Sequence, residues 1–225
     1  MATRAETRAP LNRDRILDAA LQLVDAGGIE SLSMRKLGQA LGVEAMSLYN
    51  HVANKADVVT GILDRVAHEI ERPAETAQWD VSIRNSAISA HEALRRHPWA
   101  CVLMMSPEHV VPERIRYMDS LLGRLRDAGF SSDETYHAYH VLDAHIFGFS
   151  LWQASHSASA VPLDVPDVVR EFIQQFPRDE YPHFVEHVEQ HLTDGPHKQT
   201  SAFELTLDLI LDGLRRMREA ALRLR

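Results

Sequence analysis

The chain has 225 residues, 45% of them hydrophobic, and a formal net charge of −8, which supplies enough apolar material for one or two modest domains and the wrong sign for a protein that coats nucleic acid indiscriminately. Its single cysteine, Cys101, excludes an internal disulfide and suits a reducing compartment. The opening MATRAETRAP lacks the apolar run of a secretory signal, and no apolar stretch reaches the length that spans a bilayer, so the expectation is a soluble, cytoplasmic protein with no membrane partner.

The charge is unevenly placed. Residues 1–65 hold 8 of the 24 Lys and Arg and 8 of the 32 Asp and Glu, so the acidic excess lies beyond them. Arg4, Arg8, Arg13 and Arg15 outweigh Glu6 and Asp14 at the leading edge, and residues 1–10 read as a disordered basic arm on a neutral head. The first helix follows the spacing of Ile16, Ala20 and Leu23 and stops at Gly27-Gly28. Ser33 is placed to cap a short helix over 33–41, which Gly42 ends. A third helix is expected over 44–52 and a fourth from Asn54 or Lys55 to Glu71, where ERPAETAQ breaks the pattern.

Further on, residues 80–97 read as a helix ended by Pro98, and 112–128 as one closed by Gly129. Ser131 and Glu134 form a capping box for a long helix to Ser155. A looser stretch with Pro162, Pro166, Pro177 and Pro182 has room for one or two short helices. Ser201 and Glu204 make a second capping box, opening a last helix that runs almost to the end. With no strand-like alternation, the fold class is all-α: a head over 11–55, a connecting helix over 56–72 and a body over 73–225.

In the last helix Phe203, Leu207, Ile210, Leu214, Met217, Ala221 and Leu224 alternate in steps of four and three, an a/d seam. Leu205, Leu209 and Leu211 widen the apolar surface past one stripe. One face is then core, and the width suggests that the other meets a second chain.

MSLYNHVANK, residues 46–55, crowds hydrogen-bonding side chains onto one short helix. Two short helices around Gly42-Val43 have a helix-turn-helix outline. Helical geometry turns Leu48 and Val52 inward with Ala45 beside them, sets Met46, Ser47, Asn50 and Ala53 outward, and leaves Tyr49 and His51 on the edges. Such a helix fits a DNA major groove: Asn50 can bond an adenine edge, Met46 and Ala45 can touch a thymine methyl, and Tyr49, His51, Ser33 and Lys55 suit phosphates. Outlines of this kind also arise by chance in helical proteins, so core with polar tips and a catalytic cluster stand beside it at this point. The competing class is an all-helical, His-rich metal-binding protein or enzyme. His183, His187 and His191 recur every four residues, and Glu134/His137 and Glu180/His183 match E-x-x-H. A solvated helix face and chance account for these. No nucleophile–base pair and no phosphate-cradling glycine loop is present, so neither catalytic residues, nor metal, nor a cofactor are expected.

The segment ILDAALQLVDAGGIESLSMRKLGQALGVEAMSLYNHVANKADVVTGIL, residues 16–63, resembles the N-terminal domain of the tetracycline-repressor (TetR) family of bacterial transcriptional regulators. LRDAGFSSDETYHAYHVL and FELTLDLILDGL resemble the same branch more loosely. The resemblance implies an all-helical homodimer with a DNA-reading head and a ligand-binding body, in which the long eighth helix (through Phe149) and the last helix (through Phe203, Leu207, Ile210, Leu214 and Met217) build the dimer bundle. It makes Arg35 a base-reading arginine, Ser47, Tyr49 and His51 recognition-helix contacts, and Lys55 a phosphate contact. Ala45, Met46 and Asn50 depart from the tetracycline repressor's own residues, so a different operator is expected. The positions of that repressor's magnesium-binding histidine and glutamate fall near Leu103 and Trp152, which cannot ligate magnesium, so neither tetracycline nor magnesium is expected. The implied pocket wall is Trp99, Leu103, Met104, Met105, Tyr136, Tyr139, Phe147, Phe149 and Trp152, with polar contacts from His140 and His145. It suits a flat, largely hydrophobic effector. The implied function is a repressor released from its operator by such a molecule.

Overall fold

The computed structural model describes residues 10–75, 78–158, 171, 173–193 and 197–223, and every regular element among them is helical. They group into two compact units, one of the residues up to Pro73 with Ser89–Gly123, the other of Ala74–Ile88 with the residues from Arg124 on. The first unit's leading segment ends beside the expected division at 72/73, no division falls at 55/56, and the unit takes back a later segment. The expected arm lies outside the described residues except for Pro10.

In the first unit, α1 (Arg13–Gly27) starts where Asn12 accepts a hydrogen bond from the Arg15 amide at 2.9 Å. It buries Ile16, Leu17, Ala20 and Val24 along one face. A single 3₁₀ turn over Ile29–Ser31 follows, tied back by Ser31 Oγ donating to the Leu23 carbonyl at 2.9 Å. Next come α2 (Met34–Leu41), α3 (Ala45–Leu48) and α4 (Lys55–His68). The last packs on α1 and buries Val58, Val59, Ile62, Leu63, Val66 and Ala67. Arg65 of α4 also pairs with Asp14 and Asp18 of α1. α4 stops at His68, short of the expected Glu71: the Glu69 and Ile70 amides close onto the carbonyls of Val66 and Ala67, both at 3.2 Å, as the chain turns toward Pro73.

α5 (Trp79–Arg96) gives its C-terminal part to this unit. Sequence periodicity misses α6 (Ala100–Met105), a six-residue helix too short to show a period. It buries Ala100, Cys101 and Met104, and burial pushes the Cys101 thiol up to about 11. α7 (Pro112–Asp127) begins under a cap from another helix, with Asp64 Oδ1 of α4 accepting from the Glu113 amide at 2.9 Å.

The second unit takes the start of α5, the end of α7, and the helices α8 (Ser132–Ala158), α9 (Pro182–Thr193) and α10 (His197–Arg223). The expected capping box at α8 is present in both directions. The Ser131 amide donates to Glu134 Oε2 at 2.6 Å, and the Glu134 amide donates to Ser131 Oγ at 3.2 Å. The second expected box is not a cap. α10 begins at His197, so Ser201 and Glu204 lie inside the helix, and Glu204 binds Arg84 of α5 at 2.7 Å. Asp208 binds the same guanidinium at 2.7 Å, and these two partners hold the Arg84 pKa above its ordinary value, Asp208 most. Arg215 reaches Asp80 at 2.6 Å. No described helix is long and apolar enough to cross a membrane.

Candidate nucleic-acid interface

Local chemistry builds residues 33–55, the stretch expected to read DNA. Ser33 caps α2 by accepting from the Lys36 amide at 3.2 Å. Gly42 ends α2 in the left-handed region at φ 67°, ψ 38°, where a side chain is strained. The Val43 amide reaches back to the Gly38 carbonyl at 2.9 Å and the Gly42 amide to Gln39 at 3.1 Å, a Schellman closure. A Cβ on Gly38 would stand 2.9 Å from the Val43 carbonyl oxygen and 3.2 Å from Ala45 Cα. The bare α-carbon therefore lets α3 come in close after the turn.

α3 is shorter than the expected 44–52. Helical bonding gives way to i→i−3 closure, with Tyr49 N to Met46 O at 3.3 Å and His51 N to Leu48 O at 2.9 Å, which tightens the last turn. Leu48 and Val52 are buried and hold this stretch to the core. Asn54 caps α4 through the Asp57 amide at 2.9 Å, and Asp57 Oδ2 accepts from the Ala53 amide at 2.8 Å. The same carboxylate receives both terminal nitrogens of Arg13 from α1, at 2.9 and 2.7 Å. The Arg13 hydrogen bond holds the Asp57 carboxyl below its ordinary range. One carboxylate thus pins the end of the reading stretch to both flanking helices.

None of the nine expected DNA-contacting residues is buried. Arg35, Met46, Tyr49, Asn50, His51 and Lys55 are exposed, Met46 at 75%, and Ser33, Ala45 and Ser47 are partly exposed. Gln39, exposed one turn after Arg35, escapes the sequence reading although the helical period links the two positions.

The expected ligand residues divide between the units. In the first, Met104 is buried and Leu103 partly so, while the Trp99 indole N–H donates to Asp25 of α1 at 2.8 Å. In the second, Tyr139 and Phe147 are buried. His145 stacks on Phe203, with ring centroids 4.6 Å apart, and meets the Phe203 carbonyl at 3.1 Å. Phe149 lies against Phe203 at 5.5 Å and Trp152 at 5.4 Å. Burial pushes the His145 pKa down against the opposing pull of that carbonyl. Tyr136 stands 58% exposed, its ring 4.2 Å from the exposed His140. An open cleft of about 320 Å³ lies in this unit among Gln78, Trp79, Asp80, Arg215, Arg218 and Glu219, and none of the expected ligand residues lines it.

The seam expected to meet a second chain is partly the chain's own core. Phe203, Leu207 and Leu214 are buried together with Leu211, whereas Ile210 and Met217 are partly exposed. Leu205 and Leu209 of α10, each 62% exposed, and Leu222 near its end remain uncovered. The period of the helix is as expected, but the open face is turned from the a/d seam. Leu224 and the His191 side chain lie outside the described residues. His183 and His187 are exposed, and among the described residues no three His, Cys, Asp or Glu side chains are placed so that they could hold a metal ion. Glu134 of the first E-x-x-H match serves the α8 cap.

Known proteins resemble the chain along most of its length. Residues 72–218 match the family described as tetracyclin repressor-like, C-terminal domain, and residues 16–62 match bacterial regulatory proteins of the tetR family. The HTH-type transcriptional repressor DrrR1 of Streptomyces coeruleorubidus is 33% identical over 64% of this chain, a match that spans 56% of that protein. The class D tetracycline repressor of Escherichia coli is 29% identical over 90% of this chain and 94% of its own. The structure of ActR from Streptomyces coelicolor in complex with actinorhodin superimposes with a TM-score of 0.74 at 25% identity, covering 93% of this chain and 99% of that one. With both halves of its sequence matched and its curated relatives named as repressors, the chain belongs to the TetR family of bacterial regulatory proteins and is a transcriptional regulator, not an enzyme.

Proposed function

We propose that the chain is a cytoplasmic repressor that, as a homodimer, grips an operator through residues 33–55 and releases it when a small apolar or aromatic molecule occupies its body. The observation that carries this reading is the disposition of 45–55: Leu48 and Val52 are buried while Met46, Tyr49, Asn50, His51 and Lys55 are exposed. Asn50, Met46, Ala45 and Ser47 read base edges, with Arg35, and Gln39 one turn along. Ser33, Tyr49, His51 and Lys55 hold the backbone. Two such heads read half-sites roughly 34–36 Å apart, so a small shift between them spoils the fit, and effector and operator oppose each other reciprocally.

The exposed Leu205 and Leu209 of α10, with Val141, Leu151 and Trp152 of α8, support dimerisation through these helices. Their apolar surface is the kind that marks a partner. The aromatic grouping of His145, Phe149 and Trp152 supports an apolar, ring-bearing effector, as does the likeness to a protein solved with actinorhodin. A gel-shift series with a footprinted operator tests the assignment. Asn50→Ala is expected to relax preference at one base by about 1–3 kcal/mol. Lys55→Ala should weaken binding to all sequences and reduce the salt slope by about 1. Parental binding by both variants would remove residues 33–55 from the interface.

A further inference from the structure

At the end of α5, side chains from three segments of the first unit meet on one ring. The buried His97 turns each ring nitrogen to a carboxylate: Nδ1 lies 2.7 Å from Asp25 Oδ1 and Nε2 lies 3.2 Å from Glu69 Oε1. Asp25 stands in the last turns of α1, and Glu69 follows directly on α4. Each carboxylate has another donor. Trp99 Nε1–H donates to Asp25 Oδ1 at 2.8 Å, and the Arg96 guanidinium donates to Glu69 Oε2 at 2.7 and 3.2 Å.

A neutral imidazole donates from one nitrogen only, whereas the imidazolium donates from both. Only the charged ring can therefore make both contacts, and with it two carboxylates face an imidazolium and a guanidinium. The carbonyl end of α1 favours the same cation. When the ring is neutral, a lone pair faces one carboxylate. The contact that gives way is the one to Glu69, which is longer and leaves Glu69 still held by Arg96. The Asp25 contact, shared with Trp99, persists. The charged groups facing His97 are Asp25 from α1, Glu69 beyond α4 and Arg96 from α5. Trp99 adds a neutral ring edge-on at 6.2 Å.

We infer that His97 is a positioning residue for operator reading, a proton-operated clasp that ties the end of α4 to the α5–α6 turn when charged and frees it when neutral. α4 begins at Lys55, so its hold on this turn bears on the reading stretch at its other end. That consequence rests on the operator reading above; the clasp chemistry does not. Loss of the second ring proton opens the clasp, so it is closed at lower pH and open at higher pH.

Hydrogen exchange on the full chain, without DNA, tests the clasp apart from the operator reading. The Glu69 and Ile70 amides close the end of α4 onto Val66 and Ala67 and report its hold. Glu69→Gln is the comparison, because a carboxamide can accept from a protonated Nε2 or donate to a bare one and so keeps the clasp at either charge. As pH is raised, protection of these two amides should fall about tenfold more in the parent than in E69Q, the scale of one lost charge-assisted hydrogen bond. Parallel profiles in the two proteins would overturn the proposal. So would a His97→Gln chain that keeps the parent's step, because the step would then belong to another group.

Discussion

The α2–α3 turn and the paired helices α8 and α10 are written in the same apolar–polar alphabet, yet they dispose of it in opposite ways. Around the turn, Leu37, Leu41, Leu48 and Val52 are all buried, and apart from Met46 and Tyr49 the chain shows solvent small or polar side chains. On α8 and α10, Tyr136, Val141, Leu151, Trp152, Leu205 and Leu209 stay exposed although the same helices bury Tyr139, Leu142, Phe147, Phe203, Leu207 and Leu211. A helical period reveals that an apolar face exists; it does not reveal whether the chain covers that face itself. The first region is finished within one chain and offers polar chemistry outward. The second offers apolar area, which is the expected mark of an interface.

Three changes press on this contrast, in falling order of effect. Leu205→Glu combined with Leu209→Glu puts charge on the uncovered face of α10. If that face is a dimer contact, each unpaired buried charge costs about 3 kcal/mol or more, and sedimentation should show a monomer where the parent is a dimer, with helix content retained because neither leucine is in the core. An unchanged mass would break the contrast. Gly38→Ala acts on the finished region instead. Its methyl would meet the Val43 carbonyl and the Ala45 backbone, groups that cannot swing aside, and the expected loss is about 1–3 kcal/mol by thermal melting. Parental melting would mean that α2 and α3 do not pack so closely.

The smallest effects are in pH, and they separate the two units. Asp57 has a depressed pKa, chiefly through the Arg13 hydrogen bond, so its contribution is present above the ordinary carboxylate range and lost as pH falls through its folded value. His145 is also depressed, chiefly by burial; its contribution is present above the ordinary histidine range and is lost at a milder acidity than that of Asp57. Urea unfolding of the parent from pH 7 downward should therefore show a first decline that His145→Phe removes and a later one that Asp57→Asn removes. If His145→Phe leaves the first decline in place, another group controls it.

These regions also differ in how far they can be read without coordinates. The turn is local: Ser33, Gly42 and the inward pair Leu48 and Val52 sit within a few residues of what they bond, and the Ser131–Glu134 box is local in the same way. Helix ends set by distant partners are less legible. α4 stops at His68, beside a Glu69 that is bound by Arg96 and His97. α10 begins before Ser201, with Glu204 given to Arg84 on a helix 120 residues earlier. The six residues of α6 carry no period to find. The seam of α10 was legible as a seam but not as an inner one, because the covering of Phe203 and Leu207 is a tertiary fact. The clasp is the extreme case. His97 meets partners 72 and 28 residues away in sequence, and no spacing rule joins them.

The short recognition helix has a consequence for how such a regulator changes over time. Its position is held by Leu48, Val52 and the Asp57 tie, none of which has to touch a base. Met46 and Asn50 are exposed, and substitutions at exposed sites of this kind usually shift stability by no more than about 0.5 kcal/mol. If these residues choose the binding site, as proposed above, a lineage can alter them one at a time without passing through an unfolded intermediate. Duplicated copies of such a gene would be free to part company over DNA targets while keeping one and the same scaffold.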